Sequence, residues 1–165
     1  MRAGWRLLAL VAGVAAGVWL WSTLFPHPEK VIRARLSEIA DLMSFPANEP
    51  PLAAMTEVQQ LCARLSPDIE VRVDAPGFGR HTLQGRDRIR EAALQFRSAV
   101  NGAHVRFPDI RINLHPDRRA AEVFVTVAAR LPSEPDPVVQ EMRLEMRKLG
   151  GDWRLARAET VRPLR

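Results

Sequence analysis

The sequence predicts an α+β domain behind one membrane-spanning helix, and three observations carry that prediction. An uncharged apolar run extends from Leu7 to Phe25. Between residues 29 and 100 the apolar positions recur mainly at helical spacing, with one alternating stretch among them. From Val105 onward the period changes to two and stays there.

The nineteen residues of the first run cover about 28 Å at the helical rise, close to the hydrocarbon thickness of a bilayer. No second stretch of the chain can cross. Arg2 and Arg6 fence the run on one side and Pro26-His27-Pro28 on the other. A cleaved signal peptide is the competing reading, since Val14-Ala15-Ala16 offers small residues for a cut. Against cleavage, the run continues for nine residues past Ala16, and Trp5 at one end with Trp19 and Trp21 near the other resembles paired aromatic belts. The very short N-terminal tail stays in the cytoplasm by the usual rule, which makes this a single-pass inner-membrane protein with a periplasmic C-terminal part. Lys30, Arg33 and Arg35 on the far side weaken that charge bias and sit where they could touch anionic headgroups. Ala9, Gly13 and Gly17 fall every four residues and form a stripe on which two such helices could pair, although small residues are common in membrane helices anyway.

The anchor therefore occupies 1–27, and 28–165 has the length and apolar share of one domain. All 19 acidic residues and 22 of the 24 basic ones lie in this second part, whose net charge is +3 against +5 for the chain. The charges are mixed along it rather than blocked, which is a solvated surface and not a nucleic-acid footprint. One cysteine, Cys62, excludes an internal disulfide. It falls in a helical series, Leu52, Met55, Val58, Leu61, Cys62 and Leu65, and reads as a small core hydrophobe. His27, His81, His104 and His115 have no metal-ligand spacing, and no metal or other cofactor is expected.

Two helices come first. Ile32, Leu36, Ile39 and Met43 mark one over 29–44, and after the breaker Ser44 to Pro50 a second opens at Pro51. Ile69, Val71 and Val73 alternate with charged residues as a strand, a loop at Pro76-Gly77-Phe78-Gly79 follows, and His81 to Gln84 is a short extended piece. Gly85-Arg86-Asp87 starts a third helix with Ile89, Ala92, Ala93, Phe96 and Val100 on one face, Asp87 serving as cap or first-turn acid. Val105 and Phe107, then Ile110, Ile112 and Leu114 after a phase slip at Pro108, form the next strand. Val123 to Leu131 makes another. Met142, Leu144 and Met146 lead through a Gly150-Gly151 hairpin to Trp153 and Leu155 on the last strand. Arg143, Glu145 and Arg147 take the opposite face of theirs, as solvated charges or cross-strand pairs.

Helix, helix, strand, helix and an antiparallel meander resembles the nuclear transport factor 2-like fold, which includes ketosteroid isomerase and the small polyketide cyclases. The resemblance spans the whole domain and rests on Val71-Arg72-Val73-Asp74-Ala75-Pro76-Gly77, Gly85-Arg86-Asp87-Arg88-Ile89-Arg90-Glu91 and Leu149-Gly150-Gly151-Asp152-Trp153-Arg154-Leu155. It implies a cone-shaped curved antiparallel sheet wrapped around three helices, with an apolar pocket at the open end. The implied lining is Phe78, Leu83, Phe96, Val105 and Trp153. It also implies homodimers paired sheet to sheet.

Asp74 looks similar in position to the isomerase general base, with His81 as a second acid/base group beside it. Asp74 also reads as a turn residue before Ala75-Pro76-Gly77, bonding local amides. The isomerase chemistry further needs donors for a developing oxyanion, a Tyr and a protonated acid in the relative, as in a well-known tuned site. This chain contains no Tyr, and the strand that should carry the acid presents Met142 and Leu144. The expectation is a non-catalytic, membrane-anchored binding or assembly module for an envelope protein partner or a small apolar ligand. The alternative is a small isomerase, dehydratase or cyclase using Asp74.

Overall fold

The computed structural model describes residues 27–75 and 79–161. The apolar run Leu7–Phe25, its small-residue stripe and the pocket residue Phe78 lie outside the described residues. Among the described residues no helix is long and apolar enough to cross a membrane.

Helix α1 (Pro28–Met43) begins with proline in its first turn, where a missing N–H costs nothing, and buries Ile32, Leu36, Ile39 and Ala40 as one stripe. Its end is closed by Ser44, whose hydroxyl bonds back to the Ala40 carbonyl at 2.9 Å. Helix α2 (Pro51–Ala63) also opens on proline but buries only Val58, Leu61 and Cys62. The sequence series is corrected at both ends. Leu52 and Met55 are 76% and 59% exposed because the first turns of α2 overhang the body. Leu65 belongs to strand β1 (Leu65–Ala75), which starts two residues after the helix stops. Helix α3 (Arg86–Ala99) follows β2 (Gly79–Gln84) and is entered through Gly85 at φ +83°, a backbone angle that L side chains rarely adopt. Asp87 is its first-turn acid, not its cap.

Strands β3 (His104–Leu114), β4 (Ala120–Arg130), β5 (Val138–Leu149) and β6 (Asp152–Thr160) form the expected meander. The six strands are ordered β2-β1-β6-β5-β4-β3. One pairing departs from an all-antiparallel sheet: β1 runs parallel to β6. Helix α3 and the whole meander intervene between those two strands, so no local spacing could announce their contact. The hairpin turn Gly150-Gly151 has φ of +59° and +92°, the primed geometry that matches strand twist. The phase slip at Pro108 is a bulge between Arg106 and Asp109 on edge strand β3, where proline withholds no inner ladder bond. A second irregularity, at Glu145/Met146 opposite β6, helps to bend the sheet.

Register then separates the two faces. Val123 pairs with Leu144 and Leu144 with Ala158, and these residues join Ile32, Leu36, Ile69, Met146 and Trp153 in a core beneath the helices. The alternate residues, Glu122, Arg143, Glu159, Arg157, Glu70 and Arg72, lie on the outer face.

Candidate functional site

Strand β1 sorts its residues by the same alternation: Ile69 and Val71 join the core beneath the helices, and Glu70, Arg72 and Asp74 face outward. Asp74 is thus on the outer face, in an open dish of about 520 Å³ with Glu70, Arg72, Val73, Thr82, Glu159 and Thr160. It is a strand residue rather than a turn residue, and its backbone N–H donates to the Thr160 hydroxyl at 3.0 Å. The dish is dominated by ion pairs. Glu70 accepts from Arg72 at 2.7 Å and from Arg157 at 3.2 Å, while Glu159 is held by Arg143. Further along the same face Arg143 reaches Glu122 at 3.6 Å, and Arg147 bridges Glu145 at 2.8 Å and Asp68 at 3.1 Å. The Ser66 hydroxyl, then the backbone amide and then Arg147 hold the Asp68 carboxyl below the usual aspartate range.

His81 is not brought to Asp74. It pairs with Val73, whereas Asp74 pairs with Arg80, so adjacent register positions send the two side chains to opposite faces. His81 is exposed on the helix side of the ribbon. The two residues expected to form an acid/base couple thus stand one ladder step apart, which is a change of face.

The implied pocket lining divides. Trp153 and Val105 are buried at 3% and 7% exposure, Trp153 within the core and Val105 at the start of β3. Leu83 is half-buried opposite Val71. Phe96 is 46% exposed and meets Phe45 edge-on at 6.1 Å, so it caps the α3 end of the molecule rather than lining an interior. Met142 packs against the core and Leu144 is buried in it, so the strand offers no acid there.

A charged cluster passed over in the sequence lies between α1, α2 and α3. Arg97 has a side chain only 5% exposed and bridges Glu49, itself 6% exposed, and Glu57 at 3.0 Å. It also donates to the Leu42 carbonyl and lies 4.8 Å over the Phe45 ring. The signal was present, because Ile89, Ala93 and Arg97 fall four residues apart on one helix stripe, where a cation must find partners. With these contacts the guanidinium ties the 44–50 segment to the helices. Cys62 is a core residue at 3% exposure, and burial pushes its thiol upward, which disfavours the reactive thiolate. Among the described residues no three His, Cys, Asp or Glu side chains are grouped to hold a metal ion.

No family model and no curated protein matches this chain. Solved structures do. An NTF2-like protein with a cystatin-like fold from Novosphingobium aromaticivorans superposes with a TM-score of 0.61 at 17% identity, over 90% of this chain and 87% of its own. A protein of unknown function with a cystatin-like fold from Nostoc punctiforme gives 0.61 at 11% identity, over 80% and 88%. A scytalone dehydratase-like protein from Novosphingobium aromaticivorans gives 0.59 at 20% identity, over 82% and 84%.

Proposed function

We infer the function below from the nuclear transport factor 2-like fold that the domain shares with these solved structures. We propose that the chain is a membrane-anchored binding or assembly module of the cell envelope, which receives a protein partner or a small apolar ligand and performs no catalysis. The carrying observation is the split between Asp74 on the outer face and His81 on the inner one. A couple of the two groups would need both within hydrogen-bond reach of one substrate, and Asp74 acting alone as base would still need donors for the charge that develops. Here the carboxylate stands among Arg72, Glu70 and Glu159, and the inner face is packed with Trp153, Met146 and Leu144. The anchor is supported by the length, flanks and aromatic ends of Leu7–Phe25.

A homodimer belongs to the proposal. Glu122, Arg143, Glu159, Arg72 and Glu70 alternate in sign across the outer face, which a two-fold related copy can match. The small-residue stripe in the anchor offers a second contact.

The test assays full-length protein and Asp74→Asn against a panel of enolisable ketones. No turnover above buffer is expected from either. Turnover that disappears in the variant would replace this reading with an isomerase- or dehydratase-type enzyme based on Asp74. Carbonate washing of membranes tests the anchor: the full chain is expected in the pellet, and its release sinks the anchored reading.

A further inference from the structure

The course of α1 fixes which end of the domain the N-terminal segment enters. Ser44, at the C-terminal end of the helix, bonds Val105 near the start of β3, whereas Arg33 near its beginning donates to the Ile110 carbonyl at 3.3 Å. Helix and strand therefore run antiparallel. Eleven helical steps rise about 16 Å, and five strand steps advance about the same distance, so the two rulers agree. A second pair of contacts gives the same direction. Glu38 meets Arg64, whose carbonyl accepts from the Leu155 amide, and Arg35 approaches Asp152 at 4.0 Å, closer to the hairpin. The chain before Pro28 leaves at the end that carries the β3–β4 turn, 115–119, and the β5–β6 hairpin, 149–152.

That end is basic. Lys30 projects from the first turn of α1, Arg118 and Arg119 from the β3–β4 turn, and Lys148 from the end of β5, all exposed, while Arg33, also exposed, leans along β3 to the Ile110 carbonyl. The Arg119 carbonyl accepts from the Lys148 amide at 2.8 Å, which brings the turn and the hairpin side by side. The opposing acids are Glu29, Asp117 and Asp152, of which Asp117 accepts from the Arg119 amide and Asp152 stands by Arg35. The opposite end of the same strands, loop 131–137, carries Glu134 and Asp136 and no Lys or Arg. Both lysines of the chain, Lys30 and Lys148, are at the basic end.

We propose that this end is a docking surface for anionic lipid headgroups, seated on the bilayer by Arg118, Arg119 and Lys148 together with the start of α1. The occupant follows from charge complementarity and from the apolar segment that enters there, so the inference rests on the anchored reading. Arg35, expected from sequence to share this role, is instead turned to Glu38 and Asp152 and half-buried.

The experiment reconstitutes the full chain with vesicles of phosphatidylcholine alone or with added phosphatidylglycerol. Flotation reports attachment, and acylation of Lys148 by an amine reagent reports seating. Attachment to both vesicles is expected, with Lys148 acylation slowed about fivefold or more where phosphatidylglycerol is present, the occupancy change that one basic contact with an anionic surface brings. High salt, or Arg118→Glu with Arg119→Glu, is expected to erase the difference. Attachment to both with equal acylation overturns the docking surface and leaves the anchor standing. Salt-sensitive flotation with phosphatidylglycerol alone overturns the anchor and upholds the surface; flotation with neither overturns both.

Discussion

Strand β5 presents two molecules in one string: Met142, Leu144 and Met146 face the helices, while Arg143, Glu145 and Arg147 face outward. The inner residues are held by burial, which is non-directional and sums over many contacts. The outer ones are held by ion pairs in water, where each pair contributes little and depends on salt. The two faces therefore differ in what a substitution can do. A carboxylate on the outer face, such as Asp74, is already in a crowded field of opposite charges; on the inner face the same group would sit in apolar surroundings that shift its proton affinity.

Truncation of the inner face should give the largest effect. Trp153→Ala removes a nearly buried ring from the core, and an unfolding free energy lower by about 3–5 kcal/mol is expected in denaturant titration. A loss under 1 kcal/mol would mean that the face is not a packed core, and the comparison would break there.

Arg97→Ala should follow closely, because it leaves the buried Glu49 carboxylate without its cation; such changes cost about 3–5 kcal/mol. Glu49→Gln in the same background sharpens the reading. If it recovers much of the loss, the cost was an uncompensated buried charge; if it recovers none, lost packing over Phe45 was responsible.

Outer-face changes should be small. Arg143→Ala breaks contacts to Glu122 and Glu159 on a half-exposed side chain, and a loss of about 0–1 kcal/mol, diminishing with added salt, is expected. A loss comparable to that at Trp153 would show that the ion pairs act as a core.

Acidification gives the smallest signal. The carboxyl of Asp68 is depressed in the folded state, so its contribution is present above the ordinary aspartate range and is lost as pH falls through the folded value. Thermal melts below about pH 4 should show a drop that is shallower in Asp68→Asn. Equal slopes in both proteins would remove Asp68 from the acid response.

The sequence by itself determined the elements, because their signals are local. Helical spacing placed α1 and α3, a change to period two placed the meander, Gly150-Gly151 placed its hairpin and Pro108 its bulge. Even the residues under the helices were legible wherever one face of a strand is apolar, as in Val123, Leu144 and Leu155. Tertiary structure alone decided the rest. The parallel joining of β1 to β6 across α3 and the meander depends on how the sheet closes, and it sends Glu70, Arg72 and Asp74 outward into the ion-paired field. The separation of Asp74 from His81 depends on the ladder register of β1 with β2, where a shift of one position would exchange faces. The gathering of Lys30, Arg118, Arg119 and Lys148 at one end depends on the direction of α1 along β3, since sequence spacing carries no information about which ends of a folded chain meet. Local patterns record which face of an element is apolar, whereas the proximity of charges is a property of the packed whole.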